Sequence, residues 1–302
     1  MSKESSARSR RFVVGGILVA ITMFILLAFT FSVLVSARTV LVHVPESYNS
    51  NIPTPVVFML HGSGAGADDA ERVFGFNVLS DREGFIAVYP QGAGNSKDGY
   101  DWNGGDCCGK ASKEHVDDIA FLKQTYLNLT KDYNVDTSRV YIAGFSAGGI
   151  MAYRAACELS DIFASIGVQS GVLAIEGCSP AYPISVIHLH GTHDEVVPYD
   201  GGYSASERMV FKSVEESINT FVVANNCITE TEDERILSGP KNSVRIGVQI
   251  SDWDPCGSNT GIRLVKVAEG NHSWVGNLNG DVTLGSTEMM WDWFKTHPKG
   301  KQ

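Results

Sequence analysis

Gly144-Phe145-Ser146-Ala147-Gly148 constrains this chain more than any other stretch. It follows an apolar, β-branched run, Arg139-Val140-Tyr141-Ile142-Ala143, and opens a helical pattern from Gly149 to Ala156. A strand, a Gly-x-Ser-x-Gly turn and a helix make a nucleophile elbow. The turn is sharp, so Ser146 is expected in a strained backbone region with its hydroxyl exposed. Glycines at 144 and 148 remove side chains that would clash there. The free N–H groups and dipole at the helix start favour developing negative charge.

A serine of this kind needs a base and an acid that orients the base. In this type of fold they follow in the order Ser, Asp or Glu, His. Ile184 to His190 reads as a buried strand, and the loop after it presents Asp194. Asp200 lies in the same loop but further from the strand end, so Asp194 is the candidate acid. Ile262 to Val267 is another strand, and its following loop carries His272. Ser146, Asp194 and His272 therefore fall in the required order, each just past a predicted strand. Val56 to Leu60 is an apolar strand ending in His61-Gly62-Ser63-Gly64. The backbone N–H groups of Ser63 and Ala147 are the candidate oxyanion donors, because Gly62 and Gly64 let the chain approach a ligand closely. His61 comes too early to be the base and is read as a brace for this loop.

Strand-like and helix-like stretches alternate, which implies βα units: an α/β fold with a mostly parallel central sheet and helices on both faces. The remaining strands are expected at 38–44 (an edge strand), 85–89, 166–169 and 243–250. Helices are expected at 116–132 (capped by Asp117 or Asp118), 206–224 and 287–296, and residues 91–115 form a long loop. At 302 residues with 43% hydrophobic content, the chain can bury one large catalytic domain, expected over 38–302.

Residues 1–37 differ. Phe12 to Val35 is apolar and uncharged, preceded by Lys3, Arg8, Arg10 and Arg11. That length favours a retained signal anchor over a cleaved signal peptide, although Val35-Ser36-Ala37 suits cleavage. Either reading puts the catalytic domain outside the cytosol, with the basic flank inside. Six cysteines, all beyond this segment, point to disulfides rather than a metal site. Cys227 and Cys256 can close the insertion they flank, and Cys157 is expected to reach Cys107 or Cys108. Asn128-Leu129-Thr130 is a candidate glycosylation sequon. Asn271-His272-Ser273 fits the same pattern, but a glycan there would block the candidate base. The net charge of −10, with no basic patch, argues against a nucleic-acid partner.

His61-Gly62-Ser63, Asp101-Trp102-Asn103-Gly104, Cys107-Cys108-Gly109, Gly144 to Gly149, His190-Gly191-Thr192-His193-Asp194 with Val197-Pro198-Tyr199, and His272-Ser273-Trp274 occur in this order. Together they resemble the polyhydroxybutyrate depolymerase-like esterases of carbohydrate esterase family one, which include feruloyl and acetylxylan esterases. The resemblance covers about residues 38–297. Val275, where that family often has proline, and the N-terminal apolar segment depart from it. The resemblance implies an α/β-hydrolase that cleaves carboxylic esters through an acyl-enzyme, without a metal or organic cofactor. Trp102 and Trp274 are candidates for an aromatic wall at the substrate, with core packing as the competing role. A prolyl-oligopeptidase-type peptidase shares fold and triad order. A non-enzymatic surface protein on the same scaffold is the third class. Neither explains the whole set of residues as well as an ester hydrolase does.

Overall fold

The computed structural model describes residues 10–14, 38–238, 245–274 and 285–300. The first described elements are β1 (Arg10–Val14), β2 (Arg38–His43) and β3 (Thr54–Leu60). Two short helices, α1 (Ala67–Val73) and α2 (Phe76–Glu83), lead to β4 (Ile86–Pro90). A small hairpin, β5 (Ala93–Asn95) with β6 (Gly99–Asp101), and α3 (Gly109–Lys113) break up the long loop before α4 (Asp118–Asp132). Then come β7 (Val135–Phe145), α5 (Ala147–Glu158), β8 (Ser165–Gln169) and β9 (Ser185–Gly191). A second hairpin, β10 (Gly202–Ser204) with β11 (Met209–Phe211), precedes α6 (Val214–Ala224). The antiparallel pair β12 (Thr231–Ser238) and β13 (Arg245–Trp253), β14 (Ile262–Val267) and α7 (Ser286–Thr296) complete the described chain.

One sheet runs β1-β2-β4-β3-β7-β8-β9-β14-β13-β12. Its centre, β4-β3-β7-β8-β9-β14, is parallel throughout, and both flanks are antiparallel. The central strands are buried on both faces, which is why they read as continuous apolar runs rather than alternating ones. Their side chains nevertheless divide by parity. Val56, Phe58 and Leu60 of β3 join α4, α5 and α6 in one core layer. Val57 and Met59 join α1, α2 and α7 in the other. Gly167 of β8 has no side chain where Met290 and Phe294 of α7 press closest.

Several boundaries differ from the sequence expectation. The helix expected from Ser206 starts at Val214, and residues 209–211 are strand β11 instead. Ser213 Oγ accepts from the Glu216 N–H, and the Glu216 carboxylate accepts from the Ser213 N–H at 2.7 Å. This capping box fixes the helix start. At α4, Asp117 does accept from the Ala120 N–H at 2.9 Å. Asp118 does not cap. It is buried against the Arg38 guanidinium and accepts from the Asn103 N–H at 2.6 Å, tying β2 and α4 to the loop beside Trp102. Asn128 lies within α4, as the helix expected over 116–132 implies, and its Oδ1 accepts from Gln124.

β2 is not the edge of the sheet, because β1 pairs along it. Phe12–Val14 belong to that strand, which disagrees with an anchor helix beginning at Phe12. The rest of the expected anchor, residues 15–35, lies outside the described residues, as do Val275 and the start of the strand expected at 243. No helix among the described residues is long and apolar enough to cross a membrane.

All six cysteines are paired. Cys227 joins Cys256 as expected. Cys157, however, joins Cys178, while Cys107 and Cys108 join each other. The loop carrying Cys107 lies over Ile150, because a side chain at Gly104 would strike both Ile150 and the Cys107 carbonyl. Cys157 stands two turns further along α5, roughly 10 Å away. Peptide mapping without reduction is expected to recover the Cys157–Cys178 and Cys227–Cys256 links, and a Cys157–Cys107 link would contradict this packing. Replacing Cys227 and Cys256 by alanine is expected to cost about 3–4 kcal/mol of stability, read by denaturant unfolding.

Candidate active site

Ser146 joins β7 to α5 with φ 55° and ψ −123°, a left-handed conformation that costs a non-glycine residue about 1–3 kcal/mol. The surroundings hold it there. Its N–H donates to the Gln169 carbonyl at 2.9 Å, and its own carbonyl accepts from the Ile150 N–H at 2.9 Å. A side chain on Gly144 would collide with the Gly148 carbonyl, and one on Gly148 would collide with the carbonyls of Leu60 and His61. Backbone therefore packs on backbone where the end of β3 meets the start of α5. Ser146 occupies the helix N-cap but makes no side-chain capping bond, so its hydroxyl is free for another partner.

That partner is His272. Its Nε2 lies 3.0 Å from Ser146 Oγ, and its Nδ1 lies 2.8 Å from Asp194 Oδ2. The two loops that carry acid and base are knitted together. Thr192 N–H donates to the Val267 carbonyl at 3.0 Å and His193 N–H to the Gly270 carbonyl at 2.8 Å. Gly191 lies so close to Gly270 that no side chain fits between them. Since β9 and β14 are parallel neighbours, their following loops emerge at the same edge.

Asp194 is buried and fully engaged. Oδ1 accepts from the N–H groups of Val196 and Val197 at 2.9 and 2.8 Å, and Oδ2 also faces His190 Nε2 at 3.3 Å. Burial alone would raise its pKa. The hydrogen bonds from His190 and His272 outweigh that and hold the carboxyl well below the usual carboxylate range. Asp200, the rejected alternative, is exposed.

The His61-Gly62-Ser63 loop runs beside the serine. A Cβ on Gly62 would sit 3.3 Å from the Phe145 ring and 3.4 Å from Ser146 Cβ. Among the described residues, neither the Ser63 N–H nor the Ala147 N–H has a hydrogen-bond partner. Ser63 Oγ donates to Asp101 at 2.6 Å, and the Gly64 N–H donates to the Tyr100 carbonyl at 3.0 Å, which fixes the loop from outside.

His61 braces the loop from within, as the sequence reading expects. Gly92 N–H donates to its Nε2 at 2.9 Å, so Nε2 is the unprotonated nitrogen and Nδ1–H donates to the Gly62 carbonyl at 2.8 Å. Burial lowers its pKa to about 4, against the raising effect of the Gly62 bond and Asp101. Trp102 is a correction to the sequence reading. It is fully buried, its indole N–H donates to the His61 carbonyl at 3.0 Å, and its ring packs on the imidazole, so it cannot be a wall for substrate. Trp274 is half-buried. Its ring packs on Phe74, its N–H donates to Thr287 Oγ1 at 3.1 Å, and Phe145 lies between it and His272. Phe145, not Trp274, is the aromatic ring against the imidazole. No group of His, Cys, Asp and Glu among the described residues could hold a metal ion.

Sequence reading left three participants without a role. Asp101, the partner of Ser63, has no signal of its own. His188 and His190 do have one. They stand two apart on a strand buried on both faces, hence on one side of it. Two imidazoles on one face of a buried strand demand polar partners.

Parallel strands feeding loops at one edge, with a serine on the central turn, define an α/β-hydrolase, and solved structures agree. The fold matches an acetyl xylan esterase from Aspergillus awamori with a TM-score of 0.59 at 14% identity, covering 86% of this chain and 94% of that one. It also matches a ferulic acid esterase from Anaeromyces mucronatus with a TM-score of 0.55 at 15% identity, covering 98% and 93%. Within that class the chain belongs to the esterase PHB depolymerase family, whose family model matches residues 42–214. Among its relatives, it is 27% identical to feruloyl esterase B of Piromyces equi over 85% of this chain and 45% of that protein. It is 25% identical to the bifunctional acetylxylan esterase/xylanase XynS20E of Neocallimastix patriciarum over 79% of this chain and 31% of that protein. The chain thus spans less than half the length of these two relatives.

The neutral state of His61 has a consequence for stability. In the unfolded chain this imidazole protonates near pH 6.5. In the folded protein it does so at about 4. Between these values the unfolded state binds the extra proton, so stability falls as the pH is lowered from about 6.5 to about 4. The share of His61 is roughly 3 kcal/mol, and buried His188, also held well below its ordinary value, acts in the same direction. His61→Gln is expected to flatten the dependence of unfolding free energy on pH in urea titrations. An unchanged slope would contradict a neutral, buried brace.

Proposed function

We propose that this protein is a serine carboxylic-ester hydrolase that works through an acyl-enzyme. Its acyl groups are feruloyl or acetyl esters on polysaccharide, or esters of the hydroxyalkanoate type. The observation that carries the reading is the unbroken series Ser146 Oγ, His272 and Asp194, at 3.0 and 2.8 Å, on an elbow whose helix start leaves an N–H free. Membership of the esterase family and the names of the relatives support the substrate class.

In this mechanism His272 Nε2 takes the Ser146 proton as Oγ attacks the ester carbonyl. Asp194 keeps Nδ1 protonated and stabilises the imidazolium that forms. The carbonyl oxygen becomes an oxyanion received by the N–H groups of Ser63 and Ala147, and losing one such donor costs about 3–4 kcal/mol of barrier in comparable sites. His272 then returns the proton to the departing alcohol. Water, deprotonated by the same imidazole, attacks the acyl carbonyl and releases Ser146 and the acid. The domain over 38–302 carries all of these groups.

We take the domain to lie outside the cytosol. Three disulfides that engage every cysteine favour an oxidising compartment, and so does the basic-flanked apolar run near the N-terminus.

Ser146→Ala is expected to abolish hydrolysis of p-nitrophenyl acetate and methyl ferulate while leaving thermal unfolding intact. Asp194→Asn is expected to lower kcat by a factor on the order of 10⁴, and Asp200→Asn to leave it near the wild-type value. A deeper loss at Asp200 than at Asp194 would contradict the assignment. Turnover of peptide anilides but not of either ester would contradict the reaction class.

A further inference from the structure

Behind Asp194, away from His272, a line of buried polar groups leads into the core. His190 Nε2 lies 2.8 Å from the Val197 carbonyl and 3.3 Å from Asp194 Oδ2. His190 Nδ1 lies 3.0 Å from His188 Nε2, and His188 Nδ1 lies 2.6 Å from the Tyr153 hydroxyl. Tyr153, His188 and His190 are all fully buried. They come from β9 and the middle of α5, and the two imidazoles stack at 5.2 Å.

The bonding partners admit one neutral arrangement of protons. Both neighbours of His190 Nε2 are acceptors, so Nε2 carries the hydrogen. His190 Nδ1 must then accept, which makes His188 Nε2 its donor. His188 Nδ1 accepts in turn from the Tyr153 hydroxyl. Reversing the line would leave the phenolic hydrogen without an acceptor among the described residues, in a site closed to water. Every donor along the line therefore points towards the Asp194 loop, where the His190 Nε2–H meets the Val197 carbonyl at 2.8 Å and also faces Asp194 Oδ2 at 3.3 Å. Burial keeps His188 neutral and the phenol protonated, in accord with this order. The other ionisable groups nearby lie to one side. Tyr199 meets His190 edge-on, Lys266 of β14 stands over the Tyr199 ring, and Glu215 of α6 faces the same phenol.

We propose that His190 is a positioning residue for the catalytic acid, its Nε2–H held on the carbonyl of Val197, whose own N–H donates to Asp194, while facing Asp194 Oδ2 opposite His272, and that Tyr153 acts through His188 to hold His190 in the tautomer that can donate. This rests on the reading of Ser146, Asp194 and His272 given above. Asp194 Oδ2 thus sits between two imidazoles. The one on the substrate side changes protonation during the reaction. The one on the core side is fully buried, is bonded on both ring nitrogens and keeps the carboxylate aligned.

The test measures kcat and KM for p-nitrophenyl acetate, with thermal unfolding as the control. The set comprises His190→Leu, His190→Gln, Tyr153→Phe, the Tyr153→Phe/His190→Leu double variant and Asp194→Asn. His190→Leu is expected to lower kcat about ten- to a hundredfold with little change in KM, the loss of one hydrogen bond to a charged group. His190→Gln, which keeps an N–H, is expected to recover most of that loss. Tyr153→Phe is expected to lower kcat by a smaller factor, and to have no further effect once His190 is Leu. If the leucine variant does not fold, Tyr153→Phe and His190→Gln carry the test. A His190→Gln variant that loses tenfold or more in kcat, or Tyr153→Phe at wild-type kcat, would then overturn the proposal. An unaffected His190→Leu beside a deep loss in Asp194→Asn overturns this inference alone. An Asp194→Asn variant with near wild-type turnover overturns the assignment of the acid, and this inference with it.

Discussion

The backbone of Ser146, held at a positive φ, is the constraint from which the rest of the site follows. β7 passes into α5 at this single residue, which also carries the hydroxyl facing His272. The strain is tolerated because Gly144 and Gly148 let three stretches of backbone touch: the turn, the first turn of α5 and the end of β3. One contact thus has two consequences. It exposes Ser146 Oγ, and it brings the His61-Gly62-Ser63 loop alongside, so two N–H groups without a partner among the described residues flank the serine. A larger residue at 144 or 148 would disturb Ser146 and the proposed oxyanion donors together.

The remaining groups arrive by sheet order. The neighbours β7, β8, β9 and β14 are parallel, so the elbow, the acid loop and the base loop all leave the same edge. The histidines near that edge differ by environment rather than by chemistry. His61 is enclosed, neutral and structural, with each ring nitrogen bonded to backbone. His188 and His190 are enclosed and bonded to one another. His272 is partly open to solvent, between a carboxylate and a hydroxyl. Burial lowers the basicity of His61 and of His188.

Much of this was legible in the chain. Ser146, Asp194 and His272 are each announced by an apolar strand ending in a glycine-containing loop, and the parallel core by its unbroken apolar runs. The illegible parts depend on tertiary contact. Helices α1 and α2 are short, and β12 is rich in Thr, Glu, Asp and Arg, so it becomes a strand through its ladder with β13 rather than by propensity. Cys157 chose Cys178 because the position of the Cys107 loop along α5 is set by packing at Ile150. The sequence leaves Trp102 between a substrate wall and core packing, because it lies in a polar, glycine-rich loop. That loop folds inward, around a buried Asp118 carboxylate paired with Arg38. The Ser213-x-x-Glu216 capping box, by contrast, was present in the sequence and would have moved the start of α6 to its true place.

The central claim is that the geometry at Ser146 serves a covalent intermediate. Rapid mixing with p-nitrophenyl acetate tests it most directly, with p-nitrophenol release followed in the first turnover and the acid-quenched protein weighed by mass spectrometry. The account predicts an initial burst approaching one equivalent of p-nitrophenol, and a mass increase of one acetyl group that maps to the peptide containing Ser146. Steady hydrolysis with no burst and no acylated protein, or an acetyl group on any other residue, would contradict it.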